Sequence, residues 1–281
     1  LTNLQHLSLS DNELTTLPPE IGNLVNLEVL DLGVNNLTTL PPEIGKLAKL
    51  RKLSLDRNDF TSLSPEIGGL VNLIELTLDG NQLWALPREF WKLGNLQYLS
   101  IAENRFATLP PEIENLSSLT EFDLSINQVN SLPGEIGKLK HLKLLDVSGN
   151  QLTGLPLEIG NISSLEVFNF GNNQISEFPP NLVRLSNLRE LYLEENQITT
   201  LPPEIGSLTN LERLELVGNK LTSLPREIAD LTKLDELTLY DNPLTDPPAE
   251  IVAQGITGIM GYFRGESVGE SVEENVEESE V

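Results

Sequence analysis

Cysteine is absent from the 281 residues, which excludes disulfides and thiolate chemistry and removes the cysteine-rich end caps that many extracellular repeat proteins use. That absence favours a cytoplasmic setting. Aromatic residues are scarce at 5%, although 39% of the chain is hydrophobic, so its core must rest on aliphatic side chains. There is no apolar run of about 18 residues and no charged-then-apolar leader, so neither a membrane span nor a signal peptide is expected. Positive charge is short as well. Lysine and arginine number 18 against 42 acidic residues, for a net charge of −24, which argues against nucleic acid and anionic membranes as partners. The one methionine is Met260 and the chain opens on Leu1 inside a repeat; residues preceding Leu1 are therefore expected.

What the chain has in abundance is leucine at a fixed interval. Leu4, Leu27, Leu50, Leu73, Leu96, Leu119, Leu142, Leu165, Leu188, Leu211 and Leu234 follow one another at 23 residues without insertion or deletion. Asparagine keeps the same period from Asn12 through Asn127 to Asn242. Each unit reads L-x-x-L-x-L-x-x-N-x-L-x-x-L-P-x-E-I-G-x-L. The L-x-L step, as in Leu7-Ser8-Leu9, has the period of two that sends alternate side chains to opposite faces of a strand. One such strand cannot bury its leucines alone, so copies must stack in a parallel sheet; at about 4.8 Å per strand, eleven of them span roughly 50 Å.

The Asn column stands where the chain leaves the strand and turns inward. There a carboxamide can satisfy buried peptide groups as both donor and acceptor, so the column is expected to be a structural ladder and not a site. The segment Leu17-Pro18-Pro19-Glu20-Ile21-Gly22 reads as a short helical turn opened by proline, with glutamate in the first turn, where the helix dipole favours an anion. Ten glutamates recur at that position, and seven more lie between Gly265 and Val281. Most of the acidic excess therefore has a structural or solvating reading.

With these residues in hand, the chain resembles the leucine-rich-repeat family. The Leu-Pro-x-Glu-Ile-Gly half is similar to the 23-residue intracellular subclass of bacterial repeat proteins and eukaryotic Ras-associated repeat proteins. The resemblance implies an α/β solenoid, a horseshoe with a parallel concave β-sheet and short helical turns on its convex side, used to bind a macromolecular partner. Eleven repeats are expected over 1–246, the first truncated on its N-terminal side. After Asn242 the pattern changes: Pro247 replaces leucine, and Val252, Ile256, Ile259, Met260 and Phe263 fall near helical spacing. Residues 247–264 are thus expected to cap the array, weakened as a helix by Gly255, Gly258 and Gly261. The stretch 265–281 has the composition of an acidic disordered tail. The first repeat leaves Leu1, Leu4, Leu7 and Leu9 uncovered, an edge through which copies can associate.

Nothing in the chain forms a catalytic constellation. His6 and His141 are far apart along the array, and no Gly-x-x-x-x-Gly-Lys-Ser/Thr loop is present, so no enzyme activity, cofactor or metal is expected. The segment Ala249–Gly255 resembles the junction that precedes a Roc-type GTPase module in many bacterial proteins. This leaves a second functional reading, the sensor arm of a larger signalling enzyme such as a Roco-type GTPase or kinase.

Binding is expected in the strand positions that vary. The residue between the strand leucines runs through Asp123, Asp146, Asn169, Tyr192 and Glu215. Two residues on, Glu194 and Tyr240 belong to the same face. Tyr192, Glu194, Arg213, Glu215 and Tyr240, from three successive strands, should form one patch with the Tyr and Arg enrichment of interface hot spots. The expected partner is a protein with a basic or mixed surface. A second region is repeat four and the start of five: Trp84, Phe90 and Trp91 replace the usual Thr, Ile and Gly, and Tyr98 follows on the strand. Phe90 is expected in the core, while Trp91 is either an exposed lateral contact or a packing residue over its neighbour.

Overall fold

The computed structural model describes residues 2–266, so the acidic tail expected over 265–281 lies almost wholly outside the described residues. Eleven three-residue strands form one parallel sheet in chain order. They are β1 (His6–Ser8), β2 (Val29–Asp31), β3 (Lys52–Ser54), β4 (Glu75–Thr77), β5 (Tyr98–Ser100), β6 (Glu121–Asp123), β7 (Leu144–Asp146), β8 (Val167–Asn169), β9 (Glu190–Tyr192), β10 (Arg213–Glu215) and β11 (Glu236–Thr238). Every pairing joins a residue to its equivalent 23 positions later, as in Leu7 with Leu30 and Leu214 with Leu237. The repeat length therefore fixes the register.

Behind the strands, each of the first ten units closes with a five-residue 3-10 turn, from Pro19–Asn23 to Arg226–Asp230. The residue before each turn is extended, with ψ of 147° at Pro18 and 146° at Pro41. A second proline often opens the turn itself, where the missing N–H costs nothing. No side chain caps these turns by a hydrogen bond, so the glutamate column acts through its place in the first turn and through packing. Between sheet and turns lies one continuous aliphatic core, in which Leu30, Leu53, Leu76, Leu99 and Leu145 are fully buried and Phe60, Phe106, Phe122 and Phe168 fill the wider sections. Each such side chain contributes about 1.5–3 kcal/mol on leaving water.

The Asn column forms the expected ladder. Asn127 Nδ2 donates to the carbonyl of Ile101 in the preceding repeat at 3.0 Å and to Leu124 and Ser125 in its own. Its Oδ1 accepts the backbone N–H of Phe106 at 2.9 Å. Immediately before each asparagine the chain takes a left-handed conformation, with φ of 50° to 67° in all eleven repeats, from Asp11 through Gly80, Ile126, Gly149 and Gly218 to Asp241. Two β-branched residues, Val34 and Ile126, hold this strained geometry at 53° and 52°.

At the C-terminal end, α2 (Gly255–Arg264) lies against the turn Arg226–Asp230 and β11, and α1 (Ala249–Val252) packs on α2. Ile259 and Met260 are buried, and Ile256 and Phe263 pack partly against the core. Of the glycines in α2, Gly258 has a steric reason: a Cβ there would stand 2.5 Å from Gln254 Cβ and 3.0 Å from the Ile251 carbonyl. At the other end β1 is paired on one side, and Leu4, Leu7 and Leu9 are only partly buried.

Candidate functional site

The side chains that face away from the core fall in rows across the sheet, because register is exact from strand to strand. One row runs Ser100, Asp123, Asp146, Asn169, Tyr192, Glu215 along β5 to β10. A parallel row runs Tyr98, Glu121, Leu144, Val167, Glu190, Arg213. Tyr192, Arg213 and Glu215 are thus neighbours, as expected. Tyr98 lies four strands from Tyr192, about 19 Å away at the usual strand spacing, so it belongs to the far end of the face.

The centre of the face is shallow and held by its own hydrogen bonds. Asp146 accepts from the Ser148 N–H at 2.8 Å and hydroxyl at 2.6 Å, and from Asn169 at 3.0 Å. Asn169 in turn accepts the Gly171 N–H at 3.0 Å, and Asp123 the Ser125 N–H at 2.8 Å. Ser100 and the Ala102 N–H donate to Asp79. Burial pushes the carboxyl groups of Asp79 and Asp146 above their ordinary range, against these hydrogen bonds and with neighbouring carboxylates adding to the rise. Half-buried Leu144 and Val167 flank this floor on one side, and Ile126, 57% exposed, stands beyond it on the other.

On β9 to β11 the charges are pinned. Arg213 pairs with Glu236 of the next strand and with Glu215 at 3.4 Å. The Tyr192 hydroxyl donates to Glu190; burial and this carboxylate push the phenol up to about 12. Glu194 lies flat over Gly171, so closely that a Cβ there would stand 2.2 Å from its Oε1. Burial raises its pKa, and its Oε2 is buried without a hydrogen-bond partner. Tyr240, just after the last strand β11, is 76% exposed. The sequence reading placed Tyr192, Glu194, Arg213, Glu215 and Tyr240 in one patch; Val217 separates Tyr240 from Glu194 in their row. It overlooked Glu190 and Glu236, which hold the tyrosine and the arginine, and Leu144, Val167 and Ile126. Their signal was the position immediately before the first apolar residue of the strand pair, and the Gly, Asn and Asp enrichment of the left-handed column.

In the second region Trp91 is 4% exposed and meets Phe90 edge-on at 5.2 Å, with Phe90 fully buried. Of the two readings for Trp91, the structure shows packing, so it is not an exposed lateral contact. Trp84 is 67% exposed. Among the described residues no group of three or more His, Asp or Glu side chains is placed to hold a metal ion, and no helix is long and apolar enough to cross a membrane.

A family model described as "Leucine-rich repeat region" matches residues 1–78, 43–132, 87–177 and 128–242. No curated protein sequence matches the chain. Among solved structures, a leucine-rich-repeat protein of Leptospira interrogans is 36% identical with a TM-score of 0.69, over 92% of this chain and 83% of that one. A plant peptide hormone receptor, RGFR1 in complex with RGF2, is 32% identical with a TM-score of 0.76, over 86% of this chain and 41% of that one. The PEPR1–AtPEP1 structure is 33% identical with a TM-score of 0.72, over 85% and 35%. The chain thus spans most of the bacterial protein but less than half of either receptor chain.

Proposed function

The chain belongs to the leucine-rich-repeat family, and from that premise we infer that it is a non-catalytic module that binds a protein or peptide on its concave sheet. The observation that carries this reading is the unbroken row from Ser100 to Glu215, in which small hydrogen-bonded residues make a floor between Tyr98 at one end and the Tyr192–Arg213 cluster at the other. A pre-formed floor costs little ordering on binding. Its excess of carboxylates over cations selects a basic or mixed partner surface and speeds encounter. The partner-facing residues of this reading are Tyr98, Asp123, Asp146, Asn169, Tyr192, Glu194, Arg213, Glu215 and Tyr240.

The likeness to RGFR1 in complex with RGF2 supports a peptide or protein as the occupant. Because this chain spans less than half of the receptor chains, the alternative reading, a ligand-reading arm of a longer signalling protein, draws on the same likeness. The cysteine-free composition supports an intracellular setting, and the Leu-Pro-x-Glu-Ile-Gly half supports membership of the 23-residue subclass. The repeats over 1–246 and the cap over 247–264 are the units this reading works with, and the open edge at β1 is where copies of the chain would associate.

The test is affinity capture from the source lysate by the wild-type chain and by a folded Tyr192→Ala, Glu215→Lys variant. A partner retained by the first and lost by the second supports the concave reading. Equal retention by both sinks it.

A further inference from the structure

The convex side carries a column of glycines at Gly22, Gly45, Gly68, Gly137, Gly160 and Gly206. Each sits under the next repeat's turn: a Cβ would stand 2.7 Å from Glu43 Cβ at Gly22, 2.6 Å from the Glu89 carbonyl at Gly68 and 2.3 Å from the Glu158 carbonyl at Gly137. A Cβ added at any of these three glycines would press on the neighbouring turn. Two large apolar residues nevertheless occupy the column, Trp91 and Val183, and at those two junctions the successive turns pack on each other more sparsely than at any other. Glu114, the remaining charged exception, sends its flexible chain outward to Lys138.

Trp91 is therefore a wedge. Between the turn Arg88–Lys92 and the turn Pro111–Asn115 it opens a groove of about 390 Å³, a size that accepts one large side chain with part of its backbone. Leu86, Phe106, Leu109 and the edge of Trp91 make a buried apolar floor, Pro110 a wall, and the exposed indole of Trp84 a lip. Arg88 and Glu112 stand at the rim, and neither takes part in an ion pair among the described residues.

We propose that this groove is a second binding site, independent of the concave face, which takes a partner segment carrying an aromatic side chain next to a lysine or arginine. The ring fills the apolar floor. The adjacent cation lies over the Trp84 indole, whose face attracts positive charge, and within reach of Glu112. Charge selects the same class from afar, since the chain carries −24 and Glu89 and Glu112 occupy the facing turns. A second copy of this chain carries an exposed aromatic beside an arginine at Tyr262 and Arg264, but two chains of −24 charge repel each other, so the occupant is another protein; dimerisation of the free chain in sedimentation at the working concentration overturns this assignment.

The chain reports on this site without a label, because its only two tryptophans both line the groove. Tryptophan emission is followed while acetyl-Lys-Phe-Lys-amide or acetyl-Lys-Ala-Lys-amide is added to the full chain. A saturable change is expected, at a concentration about tenfold lower for the phenylalanine peptide, as burial of a ring demands. Trp91→Gly restores the glycine column and should abolish the response of Trp84. Glu112→Lys, a surface change that leaves the core intact, should weaken binding, and Arg88→Glu should strengthen it. Tyr192→Ala with Glu215→Lys should leave the response as it was. Equal affinity for the two peptides, no saturable change, a full response in Trp91→Gly, or loss of the response in the concave variant overturns the proposal.

Discussion

The asparagine ladder makes a prediction whose size follows from counting partners. In Asn127→Ala the carbonyls of Ile101, Leu124 and Ser125 each keep another donor: Asn104, Asn150 and the Glu103 N–H respectively. The buried Phe106 N–H does not, since Asn127 Oδ1 is its one acceptor. An orphaned buried donor costs about 1–3 kcal/mol, and the lost amide contacts and small cavity bring the total to about 2–4 kcal/mol. Asn12 is the internal control. It is exposed, its Oδ1 accepts nothing, and its bonds to Leu9 and Ser10 can pass to water; Asn35 also covers the Leu9 carbonyl. Asn12→Ala should therefore cost less than about 1 kcal/mol. Urea unfolding followed by far-ultraviolet circular dichroism, read as the midpoint shift at constant slope, gives both values. Equal destabilisation by the two substitutions would refute the ladder as a satisfier of buried peptide groups.

Three further outcomes follow from named positions. Gly137→Ala places a Cβ against the Glu158 carbonyl and should lower stability by about 1–3 kcal/mol, whereas Gly154→Ala, with nothing within 4 Å, should be neutral or raise it by up to about 1 kcal/mol; thermal melts of the pair decide. Ile126→Asn relieves a β-branched residue at φ 52°, and because Ile126 is exposed it should raise the melting temperature, with a gain of about 0.5–1 kcal/mol. Burial raises the carboxyl pKa of Asp79, Asp146 and Glu194 in the folded state. The folded chain binds these protons more tightly than the unfolded one, so each group adds stability as pH falls through its folded pKa, and the addition is complete below its ordinary value. Binding of a cationic partner on the concave face should weaken in that same window. Carbon-13 carboxyl titration checks that these three protonate above the ordinary carboxylate range.

Strand position, register and the asparagine ladder could be read from the chain because each rests on a period that no insertion interrupts. Leu27 and Asn35 do the same work as Leu211 and Asn219. What escaped the reading depends on differences within a column. Leu144 and Val167 look like core residues by hydrophobicity, yet they point outward because their strand position is odd. Ile126 gives no local hint of a left-handed backbone; the hint is in its column mates Gly80, Gly149 and Gly218. The partners of Tyr192 and Arg213 went unread for another reason: Glu236 meets Arg213 only across the sheet, and Glu190, two residues before Tyr192 on the same strand, stands in the outward row that precedes the strand leucines. Trp91 was recognised as foreign to a glycine column, but whether it turned outward or under its neighbour depended on how far the next turn could move.

That freedom to move has a physical asymmetry behind it. On the concave side, successive repeats are tied by backbone hydrogen bonds at fixed spacing, and the pairing of β4 with β5 stays in register beside Trp91, with Glu75 opposite Tyr98 and Thr77 opposite Ser100. On the convex side the turns meet through van der Waals contact and scattered side-chain bonds, such as Ser207 Oγ to the Val183 carbonyl at 3.1 Å and Asn181 Nδ2 to the Leu157 carbonyl at 2.7 Å, with no backbone ladder to break when the spacing widens. A bulky residue in the glycine column is therefore absorbed entirely by the convex spacing. The same asymmetry lets the two faces vary independently: outward strand residues change without disturbing the turns, and Trp91 and Val183 spread the turns without shifting the strands. The wedges stand at the fourth and eighth turns, at either end of the floor formed by β5 to β8, so the sparser convex packing brackets the part of the sheet whose outward residues are smallest.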